Sequence, residues 1–111
     1  MQQQHRIRKN GHFRYVYRRG RHAGGRLMRV HLARGRWLQV GFSVSRQVGG
    51  AVTRNLVKRR LREAFRALMP RLVTGSYVIT ANPEAAKADY HQLAQQLAVL
   101  LKRLDALKPP A

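Results

Sequence analysis

The sequence has no cysteine, which excludes disulfides and cysteine-ligated zinc. It is also poor in acid. Only 4 Asp or Glu occur in 111 residues, and none precedes Glu63. A two-metal nuclease centre needs clustered carboxylates, and Glu63, Glu84, Asp89 and Asp105 are scattered along the chain. The histidines His5, His12, His22, His31 and His91 show no HxH, HxxxH or HExxH spacing. A metal site made by the protein alone is therefore not expected. No apolar run approaches the roughly 18 residues that a membrane span requires. Residues 1–6 have no apolar stretch behind them of the kind a secretory signal carries. There is no G-x-S-x-G elbow around Ser43 and no G-x-x-x-x-G-K-S/T loop. The expectation is a cytoplasmic protein with no membrane partner, no obligate protein partner, no catalytic residue and no cofactor of its own.

What the chain does have is positive charge. Lys and Arg number 23, and the formal net charge is +19. Self-repulsion on that scale opposes a compact state unless a polyanion is close. Arg greatly outnumbers Lys. Its planar fork suits phosphate and stacks on bases, so nucleic acid is the expected partner. Apolar residues make up 44%, enough for one modest core. A single RNA-binding domain over residues 1–111 follows, with a basic arm at 1–9 and a short tail at 108–111.

Periodicity orders the elements. Phe13, Val16 and Tyr17 fall at i, i+3 and i+4, which predicts a short helix over residues 10–19, with Asn10 as candidate N-cap and Gly20 as stop. Gly24-Gly25 mark a loop. Residues 27–33 and 37–44 alternate around Arg34-Gly35-Arg36, which predicts a β-hairpin. Residues 51–69 carry Val52, Leu56, Val57, Leu61, Ala64, Phe65 and Leu68 as one apolar helical stripe, ending before Pro70. Tyr77-Val78-Ile79-Thr80 reads as a strand. Asp89 with Gln92 reads as a capping box opening a last helix over residues 90–107, with leucines at 93, 97, 100, 104 and 107. The order implies an α+β (α/β) sandwich, a small mixed sheet packed with three helices. Trp37, Phe42, Phe65 and Tyr77 read as core or strand packing.

The central helix carries the functional signal. Arg54, Lys58, Arg62 and Arg66 are spaced by four, with Asn55 and Arg59 beside them. The apolar stripe takes the other side, so these residues face outward. Each like-charge i, i+4 pair costs an isolated helix roughly 0.2–0.5 kcal/mol. An ordinary solvated face mixes signs, whereas here only Glu63 relieves the repulsion. That favours phosphates against this face.

Arg54-Asn55-x-x-Lys58-Arg59-x-x-Arg62-Glu63 resembles the Arg-Asn-Arg signature of the protein subunit of bacterial ribonuclease P. Gly41-Phe42-Ser43-Val44-Ser45 resembles the strand that leads into it. Val48-Gly49-x-Ala51-Val52 resembles its helix start, Phe13-x-x-Val16-Tyr17-x-x-Gly20 the family's first helix, and Tyr77-Val78-Ile79-Thr80-Ala81 the strand after the signature helix. The resemblance implies a protein that assembles with a catalytic RNA and supports endonucleolytic removal of the 5′ leader from precursor tRNA. Its chemistry would be carried by Mg2+ ions held on the RNA. It further implies a left-handed βαβ crossover, which pattern alone would not suggest, since about 98% of crossovers are right-handed. By position, Arg46, Arg54, Asn55, Lys58, Arg59, Arg62 and Arg66 would contact the RNA subunit. Phe13, Tyr17 and His31 would contact the leader. On spacing alone, Phe13 and Tyr17 read as core; the resemblance favours a cleft for one face. Two positions depart from the family pattern: Gly50 stands where Asn is usual, and His31 where an aromatic strand residue is often found. Two other readings differ in class. One is a ribosomal-protein-like RNA-binding module without linked catalysis; the other is a self-sufficient nuclease, against which the scattered acids argue.

Overall fold

The computed structural model describes residues 5–7 and 9–109. Its elements are α1 (Asn10–Arg19), β1 (Arg21–Gly24), β2 (Met28–Arg34), β3 (Leu38–Ser43), α2 (Ala51–Leu68), β4 (Gly75–Ala81) and α3 (Tyr90–Arg103). Short 3-10 turns at Met69–Arg71 and Pro83–Lys87 follow α2 and β4. The four strands form one sheet in the order β1-β2-β4-β3. β4 is antiparallel to β2 and parallel to β3, so the sheet is mixed and β3–α2–β4 is a crossover unit.

The expected hairpin between β2 and β3 does not form, because β4 lies between them. The reason is burial. β4 is buried at every position but Thr80, as a central strand covered on both faces should be. Residues 35–37 can reach across two strand spacings of about 4.8 Å each. The hairpin of this fold is β1–β2, whose tight turn is closed by the Gly25 N–H donating to the Met28 carbonyl at 2.9 Å.

Strand alternation divides the sheet into two faces. Met28, Val30, Leu32, Val40, Tyr77 and Ile79 pack under α2 and α3, against Val57, Leu61, Phe65, Leu93, Leu97 and Leu100. Phe65 meets Phe42 and Tyr77 edge-on, with ring centroids 6.2 and 5.4 Å apart. The opposite face carries α1, with Val16, Val78, Ala33 and Ile7 forming a smaller cluster that Phe13 joins.

Several local expectations change. Lys9, not Asn10, is the N-cap of α1, and it makes no side-chain cap bond. Val52 leaves the apolar stripe of α2 and is 84% exposed. An 18-residue helix at about 1.5 Å per residue outruns a six-residue strand at about 3.3 Å, so its first turn overhangs the sheet. α3 stops at Arg103 rather than 107. Asp105 adopts φ 55, its N–H donates to the Lys102 carbonyl, and the Ala106 N–H donates to the Leu101 carbonyl at 2.9 Å. That is a Schellman ending, and it sends Leu107 to bridge Leu72. The Asp89–Gln92 capping box is present. Trp37 is not core: it stands 70% exposed on the β2–β3 connection. Of the expected arm, residues 1–4 and 8 lie outside the described residues. Residues 5–7 run along the free edge of β3, with Ile7 buried and its N–H donating to the Val40 carbonyl at 2.9 Å. Lys108 donates its N–H to the Arg71 carbonyl, and residues 110–111 of the tail lie outside the described residues.

Candidate nucleic-acid interface

The apolar stripe of α2 begins at Val57 and continues through Leu61, Ala64 and Phe65, which turns Asn55, Arg59 and Arg66 fully outward. Arg54, Lys58 and Arg62 lie half-buried at the border of this face. Arg54 donates Nε to the Gly49 carbonyl at 3.1 Å, which fixes its stem, and its outer nitrogens have no hydrogen-bond partner among the described residues. Arg60 instead serves the fold, donating to the Ala88 carbonyl at 2.9 Å and tying α2 to the connection before α3. Among the described residues the sole ion pair is Arg26–Glu84, at 3.5 Å and exposed. The cations of α2 therefore have no carboxylate partner there, and Glu63 neutralises none of them by contact. Arg46 is exposed in the turn before the helix, where its carbonyl accepts the Gly49 N–H. The helix starts at Gly50 without a side-chain cap, so its first N–H groups add positive potential to the same end.

The basic face turns a corner at the edge of the sheet. A pocket of about 110 Å³ is lined by Lys58 and Arg62 from α2, Phe13 from α1, Arg6 and Ile7, and Val40, Gly41 and Phe42 of β3. A broader groove holds Val52, Asn55, Leu56, Lys58, Arg59 and Arg62. Phe13 reaches the corner because position 41 is glycine. A Cβ there would lie 2.5 Å from Phe13 Cζ.

The face of the sheet beside α1 carries a second group. Tyr17, Arg29, His31, Thr80 and Asn82 line one concavity. The Tyr17 hydroxyl lies 3.3 Å from Thr80 Oγ1, and its ring meets His31 edge-on at 4.8 Å. His22 stacks on His31 from β1 at 5.3 Å, as their direct cross-strand pairing requires. Burial, then the neighbouring His22 and Arg29, hold His31 below its ordinary pKa. Its Nδ1 is buried without a hydrogen-bond partner. The His31 imidazole beside a half-exposed phenol offers ring surface to a base, with Arg29 in the same concavity for a phosphate.

The sequence model of the ribonuclease P family matches residues 1–105. The chain belongs to the ribonuclease P protein family. Its relatives include the ribonuclease P protein component of Streptomyces avermitilis, 43% identical over 91% of this chain and 92% of the relative. That of Chloroflexus aurantiacus is 40% identical over 99% of this chain and 84% of the relative. Among solved structures, the RNase P protein of Staphylococcus aureus superposes with a TM-score of 0.87 at 27% identity, covering 94% of this chain and 98% of that one. The Thermotoga maritima RNase P protein gives 0.79 at 26% identity, over 88% and 96%.

In this ribonuclease P family chain, the residues expected from sequence fall into two groups. Lys58, Arg62 and Phe13 meet in the corner pocket, whereas Tyr17 and His31 share the other concavity. Asn55 and Arg59 line the broader groove on α2, and Arg46, Arg54 and Arg66 line none of the three. Phe13 packs on the smaller cluster and also lines the corner pocket. Tyr17 is not core; it is 40% exposed. Sequence reasoning missed Arg29, Thr80, Asn82, Arg6 and Gly41. Arg29 is two strand positions from His31 and so shares its face, a signal legible once His31 is singled out. Thr80 and Gly41 carry no such signal, because the neighbours of β4 are set by tertiary pairing. Among the described residues, no helix is long and apolar enough to cross a membrane.

Proposed function

We propose that this chain is the protein component of ribonuclease P, which joins a catalytic RNA and supports removal of the 5′ leader from precursor tRNA. The observation that carries the reading is the outward face of α2. Arg54, Lys58, Arg59, Arg62 and Arg66, with Asn55 beside them, have no carboxylate partner among the described residues, and Lys58 and Arg62 line a pocket with Phe13. In this reading that face, with Arg46 ahead of it, grips phosphates of the RNA subunit. Phe13, Tyr17 and His31 take the unpaired leader, with rings for bases and Arg29 for a phosphate. Family membership supports the RNA subunit as partner.

The chemistry is assigned to the RNA. Mg2+ needs near-octahedral oxygen ligands, and among the described residues no three His, Asp or Glu converge on a site. Asp89 is occupied as a helix cap and Glu84 faces Arg26. In this reading the described residues offer no carboxylate cluster suited to the ion, and the Mg2+ of the holoenzyme would be held by the RNA.

The test is cleavage of a leader-bearing precursor tRNA at low Mg2+, with protein alone, catalytic RNA alone and both together. Efficient cutting by the mixture only is the expected result. Cutting by the protein alone would make it a nuclease in its own right. No effect of the protein in any arm would reduce it to an RNA-binding module without linked catalysis.

A further inference from the structure

We propose that Trp37, framed by Arg34 and Arg36, is a second RNA contact: a platform on which one unpaired base stacks while the guanidinium groups meet the flanking phosphates. The inference rests on the reading that the chain binds RNA and adds a site to it. Trp37 is the one tryptophan of the chain, and it is 70% exposed. A single exposed apolar side chain by itself needs no explanation. Its setting is what argues for a ligand.

The connection that carries Trp37 is held rigidly. Its carbonyl accepts the Gly75 N–H at 3.0 Å, and the Gly35 N–H donates to the Thr74 carbonyl at 3.4 Å. Gly75 adopts φ +153, and a Cβ there would lie 2.8 Å from the Ala33 carbonyl oxygen and 2.9 Å from Arg34 Cα. The loop and the start of β4 are thus in backbone contact, and the indole stands on a fixed base. A fixed base loses little entropy on binding.

The same pole is strongly basic. Arg34 and Arg36 are exposed on either side of Gly35. Arg34 donates to the Asp105 carbonyl at 3.1 Å, which brings the end of α3 alongside. The segment after α3 pairs with the one after α2: the Val73 N–H donates to the Ala106 carbonyl, and the Arg71 Nε to the Lys108 carbonyl. Arg34, Arg36, Arg71 and Lys108 therefore belong to the linked segments at this end of the sheet. Asp105 is the acid in these segments, and no ion pair joins it to Arg34 among the described residues. An exposed indole among unpaired cations suits a polyanion with π-faces. A second copy of the chain is disfavoured by the net charge of +19.

The position also continues the interface. Trp37 immediately precedes β3, while α2 starts beyond the other end of that six-residue strand, about 20 Å away. α2 then runs back along the sheet, and its stripe ends with Arg66 towards the Trp37 pole, since α2 leads to Gly75 beside Leu38. Arg66 and Trp37 thus stand at the same end of the sheet.

Because Trp37 is the sole tryptophan, its emission reports the contact directly. The full chain is titrated with the ribonuclease P catalytic RNA, and then precursor tRNA is added. Quenching at the first addition assigns the base to the RNA subunit; quenching at the second assigns it to the precursor. Either supports the platform. Binding of that RNA, followed by filter retention because these variants carry no tryptophan, is then weakened by roughly 5- to 150-fold in Trp37→Ala and mostly restored in Trp37→Phe, and Arg36→Ala makes its salt dependence shallower. The proposal is overturned if emission is unchanged at both additions, or if Trp37→Ala binds like the parent while Arg59→Ala is weakened. That pattern leaves the RNA-binding reading intact. Emission that changes with protein concentration alone assigns Trp37 to a self-interface and also overturns it. If the unaltered chain binds neither RNA, the proposed function fails and this site with it.

Discussion

Gly41→Ala probes the corner where α1, β3 and α2 meet. The new methyl would lie 2.5 and 2.6 Å from Phe13 Cζ and Cε1, and 3.3 Å from Ile7 Cβ. Carbon atoms in contact prefer about 3.5–4.0 Å, so the ring must move by about 1 Å, and the open direction is the pocket it shares with Lys58 and Arg62. Overpacking of this kind costs about 1–3 kcal/mol. Removing a glycine from the unfolded chain offsets about 0.4–1 kcal/mol of that. The net loss should be about 0.5–2.5 kcal/mol, or a Tm lowered by about 2–10 °C for a domain of this size. Thermal unfolding by circular dichroism measures it across four proteins: the parent, Gly41→Ala, Phe13→Ala and the double variant. In the Phe13→Ala background the clash is gone, so Gly41→Ala should become neutral or slightly stabilising. An equal loss in both backgrounds would show zero coupling and refute the claim that the ring is what requires glycine at 41. Leader-bearing precursor should also bind Gly41→Ala more weakly than it binds the parent, because the displaced ring intrudes on the pocket.

Three further outcomes are expected. If Arg54, Lys58, Arg59 and Arg62 each neutralise a phosphate, log K for the catalytic RNA should fall with log salt at a slope of about −3, and Arg59→Ala should make that slope shallower by about 0.7–0.9; a salt-independent affinity refutes the basic-face assignment. Phe13→Ala or Tyr17→Ala should weaken binding of leader-bearing precursor by roughly 5-fold or more and mature tRNA far less, whereas equal losses would return that ring to the core. Burial pushes the Tyr77 hydroxyl from 10.0 up to about 12, against a smaller opposing effect of Arg34. The unfolded chain then releases this proton first. The stabilisation is complete below pH 10.0 and is lost as pH rises towards about 12. Denaturant unfolding across that range should show the loss, and Tyr77→Phe should flatten it.

Much of the helical structure was legible because its signals are local. The capping box needs only Asp89 and Gln92, three residues apart. The division of α2 into a basic and an apolar side follows from its 3.6-residue period, and the basic half of the candidate site was legible with it. The strands were legible as strands but not as a sheet. Alternation tells which residues of 27–33 and 37–44 share a face; it does not say that β4 will pair between them. β1 escaped notice because Arg21-His22-Ala23-Gly24 does not alternate, and pairing with β2 alone makes it a strand. Val52 matched the apolar period of α2, yet the helix overhangs the strand beneath it, a length mismatch that no single helix reveals.

By itself the sequence determined what depends on near neighbours and on totals: a charge of +19, an uninterrupted basic face on one helix, the helix boundaries within a few residues, and the lack of clustered acids. Tertiary structure decided what depends on distant partners. It placed β4 between β2 and β3, set Phe13 on Gly41 beside Lys58 and Arg62, joined Tyr17 to His31, and left Trp37 outside the core. The physical reason is range. Helical periodicity and caps are interactions over three or four residues, written into the chain where they act. Sheet order and the meeting of α1 with α2 are choices among competing burials, and only the whole packed chain resolves them.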